Sequence, residues 1–151
     1  MTPICGFSVV YAELEPISIN AAYSTFRGRQ HLTAEGKAFK VGLAVAVARE
    51  LPIDWGIYAD RVFAQRAWVR LEIGIHRNIL VKAWKPGARE KRQMPYQRLD
   101  GPNYQKLIED AVVQATGIDD CAHLEVRVVK AQSADPFITI RYELVEDIHG
   151  Q

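Results

Sequence analysis

The sequence predicts an α+β (mixed α/β) fold, with elements in the order β-α-β(β)-α-β-β and helices packed on a mixed sheet. Three observations carry this. Residues 68–76, WVRLEIGIH, alternate apolar and polar side chains with the two-residue period of a half-buried strand. Residues 103–116 place Leu107, Ile108, Ala111, Val112 and Ala115 on one side of a helix. Two further alternating runs, LEVRVVK and FITIRYELV, close the chain on either side of the turn AQSADP.

The elements follow in order. Residues 4–14, ICGFSVVYAEL, are rich in β-branched and aromatic side chains and read as a first strand stopped by Pro16. The next segment, SINAAYSTFRGRQH, is polar and reads as irregular. Thr33 is placed to cap a helix running to about Glu50, with Glu35 in its first turn and Pro52 beyond its end. A mixed segment containing Trp55 leads into the strand at 68–76, and Asn78–Trp84 is expected to pair back on it as a hairpin. The second helix spans Asn103 to about Thr116. Pro102 stands at its start, where a missing N–H costs little, and Gly117 at its end.

At 151 residues, with 48% hydrophobic and 25% charged side chains, the chain suits one domain, 1–151, that buries a core unaided. No run of about 18 apolar residues exists, which argues against a membrane span. The N-terminus lacks a basic n-region and meets Glu13 and Glu15 early, so no signal peptide is expected. Cys5 and Cys121 are too far apart to suggest a disulfide framework or a zinc ribbon, and the expectation is a reduced, cytoplasmic protein.

The net charge of +1 conceals a segregation. Residues 1–60 carry five basic and six acidic residues, residues 61–98 ten and two, and residues 99–151 four and ten. Lys and Arg concentrated in this way can displace counterions from a phosphate backbone. Surface solubility explains Arg66 and Arg70 on a strand equally well. It explains less of the basic loop at about 85–99, KPGAREKRQMPYQR, whose charges have no sheet face to occupy. The phosphate-binding candidates are Lys82, Lys85, Arg89, Lys91, Arg92 and Arg98, together with Asn20 and the pair Arg27 and Arg29 flanking Gly28.

Across the second helix from its apolar stripe stand Asn103, Lys106 and Asp110, with Asp100 upstream and Asp119–Asp120 downstream. Two readings are open from the residues alone. In one, Asp100 or Asn103 caps the helix, Lys106–Asp110 is an i, i+4 pair, and Asp119–Asp120 is a turn. In the other, the carboxylates hold a divalent cation, since Mg²⁺ prefers hard oxygen ligands and one or two carboxylates. Residues 103–116 of a straight helix extend about 20 Å. Asp100 and Asp120 therefore share a site only if the helix bends, the upstream loop folds along it, or a second subunit supplies one of them.

At these residues the chain resembles the RusA-type crossover-junction endodeoxyribonucleases, a family common in phages and prophages. One segment of the resemblance is Ser18, Asn20, Tyr23, Arg27-Gly28-Arg29, His31, Thr33-Ala34-Glu35-Gly36 and Ala38-Phe39. The other is Asp100-Gly101-Pro102-Asn103-Tyr104-Gln105-Lys106, Asp110-Ala111, Gly117, Asp119-Asp120 and Val128-Val129-Lys130. The match runs from about residue 16 to 145 and fits poorly between about 50 and 98.

The resemblance implies a Mg²⁺-dependent homodimer, with Mn²⁺ as a substitute, that resolves four-way (Holliday) DNA junctions by paired symmetric nicks. It places the catalytic role on Asp100, Lys106 and Asp120. Metal ligation falls on Asp100 and Asp120, with Asp119 and Asp110 as further candidates. The pattern departs at Pro102, where the family carries a second carboxylate, and at Ile19, where it often has asparagine. Losing one carboxylate weakens Mg²⁺ binding. A weak or inactive junction-binding protein of the same fold, or a homodimeric domain with no DNA role, is the alternative.

Overall fold

The computed structural model describes residues 3–80 and 101–146. Its main sheet has four strands in the order β1-β6-β4-β5: β1 (Pro3–Tyr11), β4 (Ala67–Arg77), β5 (His123–Gln132) and β6 (Phe137–Glu146). β6 pairs antiparallel with both β1 and β4, whereas β4 and β5 run parallel. A parallel pair needs a long crossover, and helix α4 (Pro102–Thr116) lies within it. The α+β class expected from the sequence holds.

One face of the sheet builds the core. Register places Leu71, Ile73 and Ile75 of β4 beside Tyr142, Ile140 and Ile138 of β6. These in turn meet Phe7, Val9 and Tyr11 of β1. Helix α2 (Ala34–Glu50) packs on α4 and on β1, contributing buried Phe39, Leu43 and Val47. α4 buries Leu107, Ile108, Ala111 and Val112, the stripe predicted by its spacing. Tyr142 sits at the centre, stacked on Phe7 with centroids 5.0 Å apart. Trp55 meets both rings edge-on at 5.8 Å. Its indole Nε1–H donates to the Thr116 carbonyl at 2.9 Å, satisfying a group the helix end leaves open.

The opposite face holds a lattice of ion pairs, and no helix among the described residues covers it. Arg70 pairs with Glu125 at 2.8 Å and Glu143 at 3.6 Å, Arg127 with Glu72 at 3.4 Å, and Arg141 with Glu143 at 2.6 Å. Alternation on neighbouring strands sets each charge opposite its counter-charge.

Four local expectations change. The segment read as irregular contains a short helix, α1 (Ile19–Ala22), and a two-stranded hairpin, β2 (Tyr23–Phe26) with β3 (Arg29–Leu32). Four-residue polar strands give no hydrophobic alternation to detect. A third helix, α3 (Trp55–Phe63), lies in the segment read as mixed. Its inward residues Trp55, Tyr58, Ala59 and Val62 do follow helical spacing, but at nine residues the helix is shorter than the window in which that spacing stands out. The hairpin expected to return from Asn78 has no edge to join, because β4 is paired by β6 on one side and β5 on the other. Residues 81–84 of that expected hairpin lie outside the described residues. The first strand also ends earlier than expected, at Tyr11.

α2 begins where the sequence placed it. Thr33 Oγ1 accepts from the Gly36 N–H at 3.1 Å and reaches the Ala21 and Ala22 carbonyls at 3.1 Å. Gly36 is required there, because a Cβ would stand 2.5 Å from the Ala22 carbonyl oxygen. Among the described residues no helix is long and apolar enough to cross a membrane, and Cys5 and Cys121 are free.

Two substitutions test this packing by denaturant titration. Thr33→Ala removes the α2 cap and its tie to α1, for an expected loss of about 1–2 kcal/mol. Leu107→Ala opens a cavity under the sheet, and the expected loss is about 2–5 kcal/mol.

Candidate functional site

The β2–β3 hairpin projects a basic tip. Its two-residue turn holds Arg27 at φ 51° and Gly28 at φ 73°, the paired positive angles of a tight hairpin turn. Glycine adopts this conformation freely and arginine does so rarely, so the geometry of the tip is tightly specified. Arg27 and Arg29 are both exposed, and the Arg27 guanidinium lies 5.2 Å from the centroid of the Phe26 ring. Phe26 itself is 64% exposed. The sequence carries no signal for this exposed ring beside Arg27 and opposite Arg29, because a four-residue strand shows no hydrophobic alternation. Asn20 lies on α1 and is exposed.

The hairpin's base joins the polar face of α4. Tyr23 Oη donates to Asp110 Oδ2 at 3.4 Å. Burial, reinforced by the Asp110 carboxylate, raises the Tyr23 pKa, which keeps the phenol a donor. Lys106 Nζ stands 3.9 Å from Asp110 Oδ1, one helical turn away. Lys106, Asp110 and Tyr23 thus form one cluster. The i, i+4 pair is partly exposed and by itself contributes only a few tenths of a kcal/mol, roughly.

Asp119 and Asp120 lie beyond the C-terminal end of α4. The Asp119 side chain accepts from the Cys121 N–H at 3.0 Å and caps a single 3-10 turn, Asp120–Ala122. That amide lowers the Asp119 pKa. From Lys106 to Thr116 the helix axis advances about 15 Å. The two aspartates are therefore not gathered with the Lys106 cluster, and Asp119 performs the turn role its spacing allowed.

A second arrangement on α4 faces the sheet. Glu109 Oε1 lies 3.1 Å from His123 Nδ1, and Gln105 Nε2 donates to the other Glu109 oxygen at 3.0 Å. The His123 side chain is 1% exposed. The hydrogen bond from His123 does most to lower the Glu109 pKa. The pair fastens the start of β5 to α4 and so fixes the intervening aspartate turn. In the sequence His123 has no partner at ligand-like spacing, and only the crossover brings it beside Glu109. Trp55 is packed in the core, and Trp68 is buried on the ion-pair face with the Arg70 guanidinium 5.7 Å from its ring centroid.

Oxygen ligands hold Mg²⁺ at about 2.0–2.1 Å. Among the described residues no three His, Cys, Asp or Glu side chains are grouped to hold a metal ion. Asp100, Lys82, Lys85, Arg89, Lys91, Arg92 and Arg98 lie outside the described residues. Of the basic segment's other members, Arg61 pairs with Glu146, Arg70 with Glu125 and Glu143, and Arg77 donates to Tyr104 Oη at 2.8 Å.

Because its folded pKa is lowered, ionised Glu109 stabilises the fold above the ordinary value of 4.5, and that contribution is lost as pH falls through the lowered value. Glu109→Gln is expected to cost about 1 kcal/mol at neutral pH. The gap from wild type should close on acidification, as followed by thermal melts from neutral to acidic pH.

No family model matches the sequence, and no curated protein matches it. Among solved structures the chain aligns with a cyanuric acid hydrolase at 12% identity and a TM-score of 0.36, covering 93% of this chain and 38% of the other. The chain therefore spans well under half the length of that structure.

Proposed function

We propose that this protein is a homodimeric, cytoplasmic DNA-binding domain of the RusA type that engages branched or four-way junction DNA. The observation that carries the reading is the hairpin tip, where exposed Phe26 lies beside the Arg27 guanidinium and across the strand pair from exposed Arg29. Two guanidiniums suit phosphate oxygens, and the Phe26 face suits a base freed from its stack, which a branch point offers and a continuous duplex does not. The basic segment 61–98 adds positive charge in the same chain. Binding is favoured over cutting because Pro102 stands where the resemblance calls for a second carboxylate.

The second reading is the Mg²⁺- or Mn²⁺-dependent junction endonuclease. The cluster of Lys106, Asp110 and Tyr23 beneath the hairpin favours it, since a cation there would face phosphates held at the tip. In that reading Asp100 completes the site, and Asp120, with Asp119 in support, joins it from a second subunit.

Gel shifts with a synthetic four-way junction and a linear duplex of equal length test the first reading. The junction is expected to bind more tightly. Arg27→Ala with Arg29→Ala should weaken binding and reduce the log–log salt slope by about 2. Equal affinity for both DNAs, or a salt-independent shift, would overturn it. Incubation of the junction with Mg²⁺ separates the readings. Nicking that is lost in Lys106→Ala, Asp110→Asn and Asp120→Asn selects the nuclease, and an intact junction selects the binder.

A further inference from the structure

The outer face of α2 is unlike that of an ordinary surface helix. Ala34, Ala38, Val41, Val45 and Ala48 are all exposed, and they recur at spacings of four, three, four and three residues. Val41 is 55% exposed and Val45 45% exposed. The opposite side of the same helix buries Phe39, Leu43 and Val47 in the core. A helix apolar on both sides belongs between two partners, and among the described residues only one side has a partner. Alternate steps of three and four are those of a coiled-coil seam, and small side chains let two helices approach closely.

The flanking charges identify the occupant. Glu35 stands at the N-terminal end of the stripe and Arg49 at its C-terminal end, fourteen residues apart and at equivalent heptad positions on the same flank. In an antiparallel pair of identical helices centred near Val41, each Glu35 lies beside Arg49 of the second copy, so both ends close with an ion pair. A parallel pair would bring Lys37 beside Gly42 and Ala44 beside Arg49, with no charge match. Among the described residues neither Glu35 nor Arg49 forms an ion pair within its own chain. The seam is continuous with a groove of about 390 Å³ that shares Ala38 and Glu35 with it and is otherwise lined by Leu14, Glu15, Pro16, Ile17 and Phe39. A helix pair of about 21 Å falls short of the roughly 800 Å² per partner of a standard interface, so the groove walls must join the contact.

We propose that the outer face of α2 is an isologous, antiparallel interface with a second copy of this chain. The proposal rests on the homodimeric part of the functional reading and is independent of its DNA part. Sedimentation equilibrium across the micromolar range tests it. Wild type is expected to dimerise. Val41→Glu with Val45→Glu should raise the dissociation constant roughly a hundredfold while circular dichroism and thermal midpoint stay unchanged. Arg49→Glu should weaken the dimer, and Glu35→Arg combined with Arg49→Glu should restore it. In a Cys5→Ser, Cys121→Ser background, Val41→Cys should oxidise to a covalent dimer. A monomeric wild type, a dimer indifferent to Val41→Glu with Val45→Glu, or a dimeric Val41→Cys variant that does not cross-link would overturn the proposal. Junction gel shifts on the same proteins report the DNA reading separately.

Discussion

Strand β4 is hydrogen-bonded on both edges, antiparallel to β6 and parallel to β5, and most of the architecture follows from that constraint. A chain leaving β4 at Arg77 has no adjacent edge to return along, so it must cross over before laying β5 parallel to β4. α4 lies in that crossover. Its inward stripe covers Leu71, Ile73 and Ile75, and its ends are thereby set at opposite ends of the sheet. The Glu109–His123 contact closes the unit, tying mid-helix to the first residue of β5.

The same constraint distributes the chemistry. Lys106 and Asp110 point away from the sheet, toward the hairpin and Tyr23. Glu109, one residue earlier than Asp110, faces inward instead, because successive helical residues turn by about 100°. Asp119 and Asp120 follow the helix end and are drawn into a turn that leads to β5. Residues gathered in one stretch of sequence therefore separate into three environments. One is a partly exposed polar cluster, one a buried acid–histidine pair, and one an exposed turn. A seam of alanine and valine on α2 faces away from all three.

The regular, well-buried elements were legible for a simple reason. Where a strand or helix buries one face against a large core, its side chains must follow the period of the backbone. This held for α4 and for the inward rows of β4 and β6, whereas α2, apolar on both sides, was marked by its Thr33 cap and by Pro52 beyond its end. It failed where burial is slight. The β2–β3 hairpin pairs two exposed polar strands, and its turn uses arginine where asparagine would have announced it. α3 is only nine residues long. The charge pattern was half informative. It marked a basic segment, but Arg61, Arg70 and Arg77 prove to be engaged within the fold.

The sequence by itself determined the fold class, the two long helices and the inward rows of the central strands, because each is written in neighbouring residues. Only the tertiary structure decided that β4 lies between β5 and β6, that Glu109 meets His123, and that Asp110 meets Tyr23 rather than Asp120. It also decided that Phe26 stands exposed at a hairpin tip. Those pairings join residues far apart in the chain, and they depend on strand order and on which helix face meets the sheet. Neither is encoded in local periodicity.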